Sequence, residues 1–309
     1  MSSLTLRADG LKFESKSSNS IQAAAITHSA SKQTYFTIRL LVDRDRVADA
    51  YRAYAYFRWV DDQLDQNGMS KHERLLFAGH QQALINRCYR GDWPRHASDE
   101  ESMLVELIRS GRGERSGLWS YIQHMMTVMA FDAERRGHLI SADELNGYTC
   151  NLATAVTEAM HYFIGHKCKS PRDETRYLAV SAAHITHMLR DTLDDVKAGY
   201  FNIPREVVEE NHIDPRDVEN DAYRKWIRDR LELARACFHA GRRYLVRVEN
   251  PRCRIAGFAY TTRFESVLSA IESDNYHLRP AYPEYKSFAS ALMMGWSAMS
   301  RAFIPEHVF

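Results

Sequence analysis

The sequence predicts an all-α protein, and three observations support this. From Ser29 almost to the end, apolar residues recur at helical spacing and strand-like alternation is rare. Capping signals divide this pattern into segments of ordinary helix length. The connections are short, which favours a single domain of about ten helices over residues 29–309. Residues 1–28 are polar and mixed, and we expect them to form a flexible leader.

Each expected helix begins at a capping residue or a proline, and most end at a glycine. The starts are marked by Ser70 with Glu73, Ser98 with Glu101, Ser141 with Glu144, Ser170-Pro171 and Asp214-Pro215. The stops are marked by Asn67-Gly68, Gly111, Gly137, Gly165 and Gly199. Two more helices should cover about 256–274 and about 287–303. The last is apolar with Arg301 as its single charge, so it either packs in the core, which we favour, or contacts a membrane peripherally.

Composition excludes several classes of function. With 41 basic and 40 acidic side chains the net charge is +1, so general affinity for nucleic acid is not expected. The five cysteines are widely spaced and form no CxxC pair, which argues against a disulfide framework and a structural zinc. The chain opens without a signal peptide and has no uncharged apolar run of membrane-spanning length. These features predict a cytoplasmic protein.

Two helical segments each carry a pair of aspartates one turn apart. Asp61 and Asp65 end the stretch YRAYAYFRWVDDQLD, and Asp191 and Asp195 lie in LRDTLDDVKAG. At positions i and i+4 both carboxylates leave one face of a helix, where they repel unless a cation lies between them. A single such pair is usually a solvated helix face. Two pairs in apolar surroundings instead predict a site for Mg²⁺, which prefers carboxylate oxygens.

The neighbours of these pairs point to an anionic ligand with an apolar tail. Tyr54 and Arg58 lie seven residues before Asp61 and Asp65 and share their helix face, and Arg190 precedes Asp191. Magnesium and arginine can neutralise a leaving diphosphate, while an aromatic, water-excluding wall stabilises an allylic cation. A prenyl diphosphate fits this description, although any single aromatic side chain here is more often core.

These motifs resemble those of the squalene/phytoene synthase family, the head-to-head trans-isoprenyl diphosphate synthases. YAYFRWVDDQLD (54–65) resembles the first aspartate-rich motif of the family, and LRDTLDDVKAGYFNIP (189–204) resembles the second with its following loop. The resemblance runs from about Lys32 to Pro280. It implies an isoprenoid-synthase-type helical bundle around a central cavity. It also implies a magnesium-dependent condensation of two prenyl diphosphates, farnesyl or geranylgeranyl, through a cyclopropylcarbinyl diphosphate, with NADPH consumed if the product is reduced.

The resemblance also assigns roles by position. The implied metal ligands are Asp61, Asp65, His187, Asp191 and Asp195. The implied catalytic residues are Tyr54, Arg58, Tyr148 and Arg190, of which the two arginines also contact diphosphate. The other implied substrate contacts are Thr34, Thr154, Thr157 and Tyr276.

Several positions depart from the family pattern. His187 stands where the family has an asparagine ligand, and imidazole is a poorer magnesium ligand than an amide oxygen, so a core histidine is an equal alternative. Thr154 and Thr157 replace glycines and should narrow the cavity. Tyr200 and Asn202 replace an arginine and a tyrosine of the loop after the second motif. The second substrate site therefore looks rebuilt.

The rebuilt site keeps two alternatives open. One is a terpene cyclase or a prenyltransferase that acts on a single prenyl diphosphate. The other is a non-catalytic lipid-binding or assembly protein derived from the family. Outside the motifs, Asp132 and Arg135 could form a pair near the cavity, but we favour a solvated pair. Glu158 could act as a base if it is buried, but we favour an exposed or paired glutamate.

Overall fold

The computed structural model describes residues 19–66, 68–111 and 116–282, and within these ranges it is helical without β-strands. The helices are α1 (residues 19–30), α2 (Lys32–Leu41), α3 (Val47–Leu64), α4 (Lys71–Tyr89), α5 (Asp99–Ser110), α6 (Gly117–Arg135), α7 (Ala142–Phe163), α8 (Leu178–Ala198), α9 (Arg205–Asn211), α10 (Asp221–Val246) and α11 (Pro251–Ser273). A short 3₁₀ helix, Arg44–Arg46, joins α2 to α3. The all-α prediction is confirmed for this part of the chain.

The three capping boxes form as the sequence predicted. In α4, α5 and α7 the N-cap serine accepts a hydrogen bond from the third helical N–H, and the glutamate at that position accepts one from the serine N–H. Gly199 ends α8 with a φ of 87°, a left-handed conformation that favours glycine. The helix that carries the second pair of aspartates therefore ends at the predicted residue.

Two expected helix starts are wrong for the same physical reason. The helix expected from Ser170-Pro171 begins at Leu178, because Asp173 Oδ1 accepts from Thr175 N at 3.0 Å and holds a turn there. Asp214 Oδ1 likewise accepts from Arg216 N at 2.8 Å, and α10 begins only at Asp221. A short polar side chain can replace helical hydrogen bonds with a local turn.

Two other boundaries lie earlier than expected. Asn250 caps α11 by accepting from Arg252 N and Cys253 N, so the helix starts at Pro251. The leader expected to be flexible to residue 28 is helical from residue 19, and Ala23 and Thr27 are fully buried in it. The expected helix at about 287–303 lies outside the described residues.

The helices enclose an apolar cavity whose lining includes Tyr54 of the first acidic motif. Helix α7 packs between α6 and α8, and α8 also packs on α10 and α11. Helix α3 packs against α2, α5 and α6. A cavity of about 380 Å³ lies between α2, α3, α7, α8, α10 and α11. In the described ranges, no helix is both long enough and apolar enough to span a membrane.

Candidate active site

Three helix C-termini meet at the two acidic motifs. The ends of α6 and α8 are in direct contact, because Gly137 N donates to Gly199 O at 2.7 Å and Arg136 Nε donates to Ala198 O at 3.0 Å. The end of α3 joins them through Tyr200, whose hydroxyl donates to Asp65 Oδ1 at 3.2 Å. Helix C-termini carry partial negative charge, so their meeting point favours a bound cation.

The first motif lies on the last turn of α3. Arg58 Nη1 lies 3.4 Å from Asp61 Oδ2, and the other terminal nitrogen of Arg58 pairs with Asp62. Asp65 is exposed and forms the C-cap of the helix. The motif therefore places Asp61 and Asp65 near the meeting point, and Arg58 lies one turn before Asp61 on the same helix.

The second motif lies on the C-terminal half of α8. Arg190 binds Asp191 in a bidentate ion pair, with Nε to Oδ1 at 2.6 Å and Nη2 to Oδ2 at 2.7 Å. His187 Nε2 lies 3.2 Å from the same Oδ2, and half of its side chain is exposed. Desolvation and the charge of Arg190 lower the pKa of His187. The alternative of a core histidine is wrong, because His187 pairs with Asp191 at the surface of the site.

A third acidic group lies between the motifs, and the prediction of a solvated Asp132–Arg135 pair is wrong. Arg135 Nε donates to Asp132 Oδ1 at 2.6 Å, with the two side chains 8% and 17% exposed. Asp132 Oδ2 accepts from the Tyr148 hydroxyl at 2.9 Å. The guanidinium of Arg135 lies 4.8 Å from the Tyr148 ring centre and 5.0 Å from that of Tyr200. The pair is buried because the last turn of α6 points into the meeting point of the helices.

The loop after α8 connects this buried arginine to the second motif. Asn202, which is 1% exposed, accepts from Arg135 Nη1 at 2.9 Å. Its amide nitrogen donates to Asp195 Oδ2 at 2.8 Å. Tyr200 and Asn202, which the sequence comparison marked as departures, therefore bind Asp65 and Asp195 directly.

The carboxylates carry more negative charge than their surroundings neutralise. Desolvation and repulsion from Asp65 raise the pKa of Asp61 to about 7. Desolvation and repulsion from Asp191 raise the pKa of Asp195 to about 7. Burial also raises the pKa of Asp132, although Arg135 opposes the shift. A cation near Asp61 and Asp195 would relieve this repulsion.

The acidic groups suit a cation shared with a ligand better than a cage made of protein alone. Within the described residues, no group of three or more His, Cys, Asp or Glu side chains is arranged to hold a metal ion. Magnesium is commonly bound by one or two carboxylates together with waters and substrate phosphates. Asp61, Asp65 and Asp195 fit that role, whereas Arg190 occupies both oxygens of Asp191.

The cavity is lined mainly by apolar side chains, together with several polar ones. Tyr54, Thr34 and Thr157 line it, together with apolar side chains that include Val156, Met160, Phe163, Ala179 and Val180. Burial raises the pKa of the Tyr54 hydroxyl, so this hydroxyl stays protonated. Arg263 also lines the cavity, and it pairs with the Gln33 side chain. The shape and lining suit an apolar chain of moderate size.

Three other predicted residues lie away from the cavity lining. Thr154 is half-buried on α7, and Tyr148 faces Asp132. Tyr276 follows α11, and the guanidinium of Arg228 stacks over its ring at 4.6 Å. Glu158 is paired, as expected, because Arg176 Nε donates to it at 2.7 Å, and its pKa is lowered despite burial. Glu158 is therefore ionised and paired with Arg176.

The sequence placed Tyr200 and Asn202 at the rebuilt second substrate site, but it did not predict their contacts with Asp65 and Asp195 or the burial of Asp132 and Arg135. A signal for Asp132 existed, since it continues the buried stripe of Val128 and Met129 by one helical turn. No comparable signal exists for Asn202, because a loop residue has no periodicity.

The chain has the isoprenoid synthase fold, and its family and its curated relative make it an all-α enzyme of the prenyltransferase type. Residues 27–286 match the model of the squalene/phytoene synthase family, so the chain belongs to that family. The chain is similar to a presqualene diphosphate synthase of Zymomonas mobilis subsp. mobilis, with 28% identity over 209 residues, 67% of each chain.

Solved structures share the fold at low identity. A dehydrosqualene synthase determined with a ligand superposes with a TM-score of 0.72 at 14% identity, covering 93% of this chain and 98% of that one. A squalene synthase from Alicyclobacillus acidocaldarius superposes with a TM-score of 0.65 at 18% identity, covering 85% of this chain and 96% of that one.

Proposed function

We propose that this enzyme joins two prenyl diphosphates head to head in a magnesium-dependent reaction. The observation that carries the proposal has two parts: Tyr200 and Asn202 of one loop bind Asp65 and Asp195, and Tyr54 of the first motif lines an apolar cavity. The carboxylates can hold the magnesium that a diphosphate needs, and the apolar cavity can hold a prenyl chain. Membership of the squalene/phytoene synthase family supports this reaction class.

The proposed product retains one diphosphate. Two farnesyl diphosphates give one cyclopropylcarbinyl diphosphate, one diphosphate and one proton, so atoms and charge balance without a reductant. The similarity to a relative named presqualene diphosphate synthase favours this product over a reduced hydrocarbon. NADPH would be consumed only if the product were reduced.

The residues of the chain have separate tasks in this scheme. Asp61, Asp65 and Asp195 would hold magnesium, which when bound would neutralise the diphosphate that leaves. Arg58 and Arg190 are paired with carboxylates of the two motifs, so they can exchange these partners for diphosphate oxygens. Tyr54 would face the hydrocarbon, where its ring can stabilise positive charge.

Tyr148 serves in this scheme as a donor. Burial and the nearby Asp132 carboxylate raise its pKa well above the ordinary value, so its hydroxyl stays protonated. Its hydrogen bond to Asp132 fixes the ring between α6 and α8. The hydroxyl therefore keeps Asp132 oriented, while the Arg135 guanidinium lies 4.8 Å from the ring centre.

The test is incubation with farnesyl diphosphate and Mg²⁺, followed by mass spectrometry of the products and an assay of released diphosphate. The expected result is a C30 diphosphate formed without NADPH, and release that falls by about 100-fold or more in D61N and D195N. D62N and D194N are matched controls, because these neighbours are exposed and pair with Arg58 and Lys197. A C15 product would favour the single-substrate enzyme, and no turnover by folded protein would refute catalysis.

A further inference from the structure

The loop that follows α8 holds the two acidic motifs together by side-chain contacts. Asn202 is almost completely buried and uses both ends of its amide, with the oxygen accepting from Arg135 and the nitrogen donating to Asp195. Because a guanidinium can only donate and a carboxylate can only accept, this orientation of the amide is the one the neighbours allow. Oδ2 of Asp195 is thereby fixed, and its other oxygen is directed away from Asn202.

Tyr200 does the same for the first motif. Its hydroxyl donates to Asp65 Oδ1 at 3.2 Å, and its ring lies 5.0 Å from the Arg135 guanidinium. Arg135 therefore contacts both residues of the loop and Asp132. The carboxylates of α3 and α8, far apart in the sequence, are oriented by one connected group of side chains.

We propose that Tyr200 and Asn202 are positioning residues that set metal affinity by orienting Asp65 and Asp195, and that Arg135 anchors them both. This inference rests on the proposed function, since it takes the acidic motifs as the metal site. In the family pattern these two positions hold an arginine and a tyrosine. In this chain the same loop has no arginine at position 200, and its Tyr200 and Asn202 bind the carboxylates instead. Neither residue needs to touch the metal to act this way.

The physical reason is the cost of organising flexible ligands. An aspartate with one oxygen already bound by a fixed donor loses less rotational freedom when a cation binds its other oxygen. Partners that orient metal ligands commonly change metal affinity by about 10–100-fold when they are removed. A loop with a purely structural role would change the stability of the protein and leave the metal affinity of the folded fraction unchanged.

The experiment measures the affinity for Mn²⁺ by the electron paramagnetic resonance signal of free manganese, with inorganic pyrophosphate present as the anionic partner. The variants are N202L, which keeps the size of the side chain and removes both hydrogen bonds, and Y200F, which removes only the hydroxyl. N211L and Y56F are the matched controls. Asn211 is exposed and donates to Val207 O of its own helix, and the buried Tyr56 hydroxyl donates to Gln81 Oε1 of α4. Thermal unfolding of each variant is followed in parallel.

The expected result is a dissociation constant for Mn²⁺ about 10–100-fold weaker in N202L and about 10-fold weaker in Y200F, with both controls within about twofold of wild type. If N202L does not fold, Y200F alone decides the matter. Unchanged manganese affinity in the folded variants would overturn the inference and leave the proposed function intact. Failure of the wild-type protein to bind manganese and pyrophosphate would instead overturn the metal site on which the proposed function depends.

Discussion

Replacement of Arg135 by methionine should destabilise the protein strongly, because it leaves a buried carboxylate without its counterion. Methionine keeps most of the apolar volume of the side chain. It removes the ion pair to Asp132 at 2.6 Å and the hydrogen bond to Asn202 at 2.9 Å. Removal of one partner of a buried pair costs about 3–5 kcal/mol. We expect the free energy of unfolding of R135M at pH 7.5 to fall by that amount.

The pH dependence separates this cause from a loss of packing. Burial already raises the pKa of Asp132, and loss of Arg135 raises it further. A carboxyl group with a raised pKa binds protons more readily in the folded state, so the folded state loses stability as pH rises through that range. The deficit of R135M should therefore be smaller at pH 5 than at pH 7.5.

The assay is urea denaturation at both pH values for the wild type, R135M and the double variant D132N/R135M. In the double variant the Asp132 carboxylate is also gone, so no buried charge is left without a counterion. Its free energy of unfolding should therefore exceed that of R135M by about 2 kcal/mol at pH 7.5. A loss below about 1 kcal/mol in R135M, or a deficit that grows as the pH is lowered, would refute the reasoning.

Three further predictions follow from other parts of the molecule. Desolvation and the charge of Arg176 lower the pKa of His161 to about 4. The free energy of unfolding of the wild type should therefore fall by up to about 3 kcal/mol as the pH is lowered from 6.5 to 4. Urea denaturation of H161F should show a weaker dependence on pH, and an identical dependence would contradict the assignment. Gly199 has a φ of 87°, so G199A should cost about 1 kcal/mol. G79A, at an exposed position of α4 where an added Cβ meets nothing within 4 Å, should instead raise the melting temperature. Equal shifts of the melting temperature would argue against the backbone explanation. Thr157 lines the cavity and is 1% exposed, so T157A should raise kcat/KM for geranylgeranyl relative to farnesyl diphosphate by about 10-fold, and an unchanged ratio would show that Thr157 does not limit chain length.

The helices and the two acidic motifs could be predicted from the sequence because they depend on local signals. Capping boxes such as Ser70 with Glu73 and the terminating Gly199 act over a few residues, and each formed as expected. The starts of α8 and α10 could not be predicted as well, since Asp173 and Asp214 can support either a helix start or a local turn. Which of the two forms depends on packing that the local sequence does not encode.

The interior of the candidate site was less accessible to sequence reasoning. Asp132 and Arg135 have the spacing of an ordinary surface pair, and only the tertiary arrangement buries them beneath the two motifs. Tyr200 and Asn202 were identified as departures from a pattern, but their contacts with Asp65 and Asp195 join residues from different helices. The structure adds that these two side chains bind carboxylates on two different helices.

The measurement that tests the central claim most directly is anomalous diffraction from crystals of the wild-type protein grown with Mn²⁺ and inorganic pyrophosphate. The account predicts manganese peaks within coordination distance of Asp61 or Asp65 on α3 and of Asp195 on α8, with pyrophosphate between the two helices. Pyrophosphate bound elsewhere, or manganese that avoids one of the two motifs, would contradict it.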